Sequence, residues 1–311
     1  MSLRLDGKGP LTGRPEAIQS EDSEAVISTS GLSADAIERA IVAQYVLGRR
    51  VIHVEAGEEE TLPGTHINAV YNAETRLMGL GVIEETPDSI AIRCSVDVED
   101  FSLDNLLERL ESTGSTMRTE AISSLAHQNP DLAQRALNRE RQANKIFVLL
   151  LRLIFTAYKN PTLARSVGLS DSFPLIGYRS IAKNLELIAD NAEDIAETVL
   201  EAEGHALNID QATMRQVREF SDQVGQLADR AVEAAVERDY DTATAVREQF
   251  AEMDTREQEI LADLPELSNA QLLDVREVLV SLDQTAQYAV RNAEIATNLP
   301  LDAESNHISI P

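Results

Sequence analysis

Ile181–Leu200 reads IAKNLELIADNAEDIAETVL, and its two faces decide the fold. Ile181, Leu185, Ile188, Ala192, Ile195 and Val199 recur at steps of three or four, which places them in one apolar stripe along a helix. Glu186, Asp190, Glu193, Asp194 and Glu197 fall on the opposite side, with Glu186 and Asp190 one turn apart. Like charges at that spacing repel and weaken a helix slightly. The acidic ridge is therefore either solvated or held by a cation.

On either side of this stretch the sequence keeps the same period. Long helices are predicted near Ser102–Gln128, Pro130–Asn160, Leu175–Glu203, Ile209–Arg238, Asp241–Leu264 and Ser268–Leu299. Asn129-Pro130 and Asn160-Pro161 end the first two. The helices fall into two sets of three that look like copies. Ala196-Glu197 aligns with Ala293-Glu294, Leu185 with Leu282, and Ile146 with Ile260. One amphipathic helix cannot bury its stripe alone, whereas three can. The expected fold is mainly α: two tandem antiparallel three-helix bundles, at 98–204 and 205–300, preceded by a small α/β domain.

The segment Tyr178–Glu197, YRSIAKNLELIADNAEDIAE, resembles the third helix of a PhoU domain, from the phosphate-uptake regulator family. The family pattern is a leucine, then E-x-x-x-D, then I-A-E; here it is carried by Leu185, Glu186 with Asp190, and Ile195-Ala196-Glu197. The resemblance implies a non-enzymatic regulator of phosphate homeostasis. Its partners would be a phosphate ABC transporter subunit or a signalling kinase, and it would be a homo-oligomer. It also implies acidic pairs on the second and third helices of each bundle, which in some members hold divalent or iron metal ions. Position by position, Glu186 and Asp190 form one complete pair, with Asp194 close by. Glu140 matches but is followed by Asn144, Asp254 by Gln258, and Asp283 by Gln287, so three of the four pairs lack their second acid. A metal-binding bundle is the corresponding alternative function.

Ahead of the helices the chain alternates. Glu24–Ser28 and Arg50–Glu55 read as strands, Ala34–Leu47 and Gly64–Met78 as helices, and Gly79–Glu85 with Ser89–Val96 as a hairpin turning at Pro87-Asp88. This gives a small α/β domain over 21–97, with no glycine-rich phosphate loop. Residues 1–20 resemble the final strands of an AbrB-type swapped hairpin, or else form a leader, and 301–311 form a tail. A transcriptional regulator binding DNA through an AbrB-like domain is therefore another alternative, and that domain would be incomplete in this chain.

Composition bounds the remaining classes. The 311 residues carry a net charge of -26, with 53 acidic residues against 27 basic ones. Such a surface suits molar salt, where the Debye length falls to about 3 Å, and argues against a broad nucleic-acid interface. Cys94 is the only cysteine, so no disulfide can form within the chain and a Cys-based metal site is excluded. The most apolar run, Phe147–Tyr158, is too short to span a bilayer and contains Arg152. No signal peptide is visible, and a cytoplasmic location is expected. His53, His66, His127, His205 and His307 have no metal spacing, and no catalytic motif occurs. Arg139, Arg141, Lys145, Arg152 and Lys159 make one helix basic; salt bridges to neighbouring acidic helices are the expected use.

Overall fold

The computed structural model describes residues 23–57, 61–160, 163, 165, 167, 174–201, 209–253, 255–265 and 267–299. They form two compact units that divide between Val96 and Asp97. The stretches 1–20 and 301–311, with His205, Asp254 and His307, lie outside the described residues.

The first unit contains β1 (Glu24–Ser28), α1 (Ala34–Val46), β2 (Val51–Glu55), α2 (Gly64–Arg76), β3 (Leu80–Glu85) and β4 (Ser89–Cys94). The sheet order is β1-β2-β4-β3. β1 and β2 are parallel, as expected for strands joined through a helix, while β4 is antiparallel to both β2 and β3. Alternation does the sorting: Ile52, Val54, Ile90, Ile92 and Cys94 are buried with Ile37, Ile41 and Tyr45 of α1 and Val70 and Ala73 of α2. Ser33 starts α1 by accepting a hydrogen bond from the Ala36 amide. Gly79, between α2 and β3, has φ +70°, and a Cβ there would meet Val96 Cγ2 at 2.6 Å.

The second unit is helical: α3 (Leu103–His127), α4 (Pro130–Lys159), α5 (Leu175–Glu201), α6 (Gln211–Glu237), α7 (Tyr240–Met253), α8 (Arg256–Ala262) and α9 (Asn269–Ala296). α3, α4 and α5 make one three-helix bundle. α6 and α9, with α7 and α8, make the second. The two bundles meet along α5–α9 and α3–α6. The first core holds Leu107, Leu110 and Met117 of α3, Leu149 and Leu153 of α4, and Ile181 and Leu185 of α5, all fully or almost fully buried. Each such side chain contributes about 1.5–3 kcal/mol by leaving water.

The duplication shows in the turns. α3 ends on Gln128 in the left-handed region, and the next residue, Asn129, caps α4 through the Asp131 amide. α6 ends on Arg238, also left-handed, and Asp239 caps α7 through the Asp241 and Thr242 amides. These turns superpose Asn129 on Asp239, one helical turn out of step with the pairing of Ile146 with Ile260. The sequence predicts one unbroken helix over Asp241–Leu264, which the structure divides. α7 ends at Met253 and α8 begins at Arg256. Between Val246 and Ile260 no side chain is buried among the described residues, so little packing holds a straight rod there.

Where α3 crosses α5 the contact is close. A Cβ on Gly114 would lie 3.7 Å from Ile188 Cγ2 and 3.8 Å from Ala189, which is ordinary contact. Gly114→Ala should therefore fit and raise stability by about 0.5–1 kcal/mol through helix propensity. The readout is a higher urea midpoint at unchanged slope.

The α5–α9 seam is not purely apolar. Asn184 donates to Asn292 Oδ1 (2.8 Å), and Asn191 donates to Thr285 Oγ1 (3.1 Å). Asn191, Thr285 and Asn292 are all buried. From one pair to the other α5 advances two turns while α9 retreats two, so the helices run antiparallel. A further tie joins helix ends: Tyr178 of α5 donates to Asp104 of α3 (2.5 Å), and Arg238 at the end of α6 lies against the same hydroxyl.

Candidate functional site

The antiparallel packing of α4 on α5 brings Glu140 against the acidic ridge. Asp190 and Glu193 both feel its charge. The ridge is not simply solvated, because Glu186, Asp190 and Glu193 are only partly exposed. Partial burial, then Glu186, Glu140 and Asp194, push the Asp190 carboxyl up to about 6, with Lys183 opposing. Burial, then Glu140, Glu197, Asp190 and Asp194, push Glu193 up to about 7. Burial alone raises Asp194.

Lys183 supplies the one cation at this ridge among the described residues. Its ammonium pairs with Glu186 and sits 5.6 Å from the centre of the Phe147 ring. Among the described residues no three Asp, Glu, His or Cys side chains converge to hold a metal ion. Glu186 is answered there by the Lys183 ammonium.

The structure thus brings Glu140, Glu186, Asp190 and Asp194 to one face and adds Glu193 and Glu197. Asp283 is elsewhere, on α9, where it accepts from Gln287 Nε2 (2.7 Å) and faces Glu257 of α8. Of the basic residues on α4, Arg139 forms a two-pronged pair with Glu120 of α3 (2.8 and 3.3 Å), the salt bridge expected of it. Arg152 is 3% exposed, drawn in among the leucines of α4.

A second charged group was not visible in the sequence. Arg118 of α3 is 6% exposed and lies where α3 meets α6. Its Nη2 donates to Ser115 Oγ (3.1 Å), and its Nη1 has no acceptor. The chain opposite is Gly225, whose absent Cβ would fall 2.4 Å from Nη2, so the glycine makes the room for the guanidinium. Glu111 of α3 is hydrogen-bonded to Asp229 of α6. Burial, and then Asp229, push the Glu111 carboxyl far above its usual range, with Arg118 opposing. Burial pushes Arg118 down, against the fields of Asp229, Glu111 and Asp222. The available signal was an arginine following Met117 on the apolar stripe of α3 and a glycine on that of α6.

Residues 107–199 match the PhoU domain family. That span covers most of α3, all of α4 and nearly all of α5, so it includes the acidic ridge. Two solved structures share the fold. PhoU from Pseudomonas aeruginosa has a TM-score of 0.54 at 18% identity, over 66% of this chain and 96% of that one. The phosphate transport system regulatory protein PhoU from Streptococcus pneumoniae has a TM-score of 0.54 at 14% identity, over 67% and 96%. No curated protein matches the chain significantly. The helical unit therefore shares the fold of these PhoU structures, and residues 107–199 are similar to the PhoU domain family.

Proposed function

We propose that this protein regulates phosphate transport by protein–protein contact through its helical unit, doing no chemistry of its own. The observation that carries this reading is the similarity of 107–199 to the PhoU domain family, set in a fold that accounts for 96% of each of the two solved PhoU chains. A phosphate ABC transporter subunit or its signalling kinase is the expected partner, met from the cytoplasmic side. No helix among the described residues is long and apolar enough to cross a membrane, which is consistent with a protein that docks rather than inserts. The long exposed helix faces suit such docking, because rigid elements present side chains at fixed spacing.

Affinity capture tests this, with the full chain as bait on detergent-solubilised membranes from phosphate-replete and phosphate-starved cells. Recovery of a phosphate transporter subunit, in amounts that differ between the two states, is the expected result. Recovery of no transport component in either state, together with retention of a discrete promoter fragment, would replace this reading with DNA binding.

A further inference from the structure

The α4–α5 pair is electrically divided along its length. One half carries Glu140 and the acidic ridge. The other half is built from residues 141–160, RQANKIFVLLLRLIFTAYKN, the end of α4 with its cap Asn160, and from 175–185 of α5, LIGYRSIAKNL, and contains no acid at all. In a chain with 53 acids among 311 residues, that is a local reversal of charge. It coincides with an apolar opening of about 210 Å³ lined by Ile154, Phe155, Tyr158, Leu175, Ile176 and Arg179. Ile176 is 67% exposed and Tyr158 65%, the two largest exposures of big apolar side chains among the described residues of the helical unit. Arg179 projects beside them with no carboxylate partner among the described residues.

We propose that this opening is a docking pocket for a partner protein segment presenting one large apolar side chain next to a carboxylate. An apolar cavity of about 150 Å³ is enough for benzene, so 210 Å³ accepts a single phenylalanine or leucine side chain. Ile154 and Leu175 form an almost fully buried floor, while Ile176 and Tyr158 form the rim. Arginine and tyrosine are among the residues in which interface energy concentrates. Arg179 selects the charge: its planar fork matches a carboxylate, and at this end no acid of α4 or α5 competes for it. The acidic half of the same face repels that carboxylate, so the segment can lie in only one direction. The pocket deepens the regulatory reading above and rests on it for the partner's identity, though not for the binding chemistry.

Two arms keep the pocket and that reading apart. In the first, the probe is a fluorescein-labelled decapeptide with a central phenylalanine flanked by glutamates, and anisotropy is read on the full chain. Binding should weaken at least tenfold with Arg179→Glu, with Ile176→Asp, and with the peptide's alanine-for-phenylalanine or glutamine-for-glutamate analogues. Arg215→Glu, an equal charge change at an exposed site on α6, should leave it unaltered. Equal binding by the wild type and Arg179→Glu overturns the pocket. Circular dichroism of each variant confirms the fold. In the second arm, the capture experiment is repeated with the Arg179→Glu and Ile176→Asp baits. Loss of the transporter subunit from both variants supports the pocket. Undiminished recovery overturns it while leaving the regulatory reading intact. If the wild type recovers no transporter yet binds the peptide as described, the pocket stands and that reading fails. Sedimentation showing a dimer of the wild type that both variants dissociate would assign the pocket to a second copy of the chain and overturn the proposal.

Discussion

Arg118→Ala should destabilise the helical unit by about 3 kcal/mol at pH 7, the range found when one partner of a buried charge group is removed. Two effects add. The long side chain fills the space left by Gly225, so truncation opens a cavity between α3 and α6. It also removes the charge that opposes Glu111 and Asp229 where α3 meets α6. Urea unfolding followed by circular dichroism measures the change. The double variant Arg118→Met with Glu111→Gln should recover to within about 1 kcal/mol of wild type, because a matched apolar replacement removes both the cation and the acid that needs it. An Arg118→Ala protein with an unaltered midpoint would show that the group contributes nothing to the joint.

The second large effect concerns pH. Most proteins lose stability in acid because their carboxylates are better held in the fold than in the unfolded chain. Here Asp190 rises from 3.8 to about 6, and Glu193 from 4.5 to about 7. Both therefore bind protons more tightly when folded, and the sign reverses. Their stabilising contribution is complete below about pH 4 and is lost as pH climbs through 6 and 7. Glu111 extends the decline to higher pH for the same reason. Each tenfold gain in proton affinity on folding is worth about 1.4 kcal/mol. Solvent screening at the half-exposed ridge brings the contribution of each of these two acids down to about 1 kcal/mol. The urea midpoint should fall steadily from pH 5 to pH 8, and the Asp190→Asn, Glu193→Gln double variant should flatten that slope. A midpoint that rises over the same interval would mean that the ridge is held by cations rather than strained by its own charge.

Much of this architecture could be read from periodicity. The stripes of Ile181–Val199 and the Asn129-Pro130 and Asn160-Pro161 breaks placed most helix ends to within three residues, because capping is a local event. The break between α7 and α8 was hidden: its cause is a weak buried stripe, which depends on what packs opposite. The site was legible only in outline. Glu186 and Asp190 announce a ridge, but that Glu140 faces Asp190 and Glu193 depends on the register of α4 on α5. The Arg118 group spans two bundles, and no spacing within either one reports it. The docking pocket was concealed by hydropathy, since Phe147–Tyr158 reads as core throughout while Tyr158 is two-thirds exposed.

The two polar contacts inside the α5–α9 seam have a mechanical consequence. Slippage of one bundle past the other by a single turn would part the buried Asn191 amide from Thr285 and the half-buried Asn184 amide from Asn292, and the buried donor alone would cost about 1–3 kcal/mol. Axial travel is thus blocked, whereas rotation about the seam leaves both contacts near its axis and costs them little. At this seam the bundles therefore resist sliding more than turning, in the manner of a door on two pins.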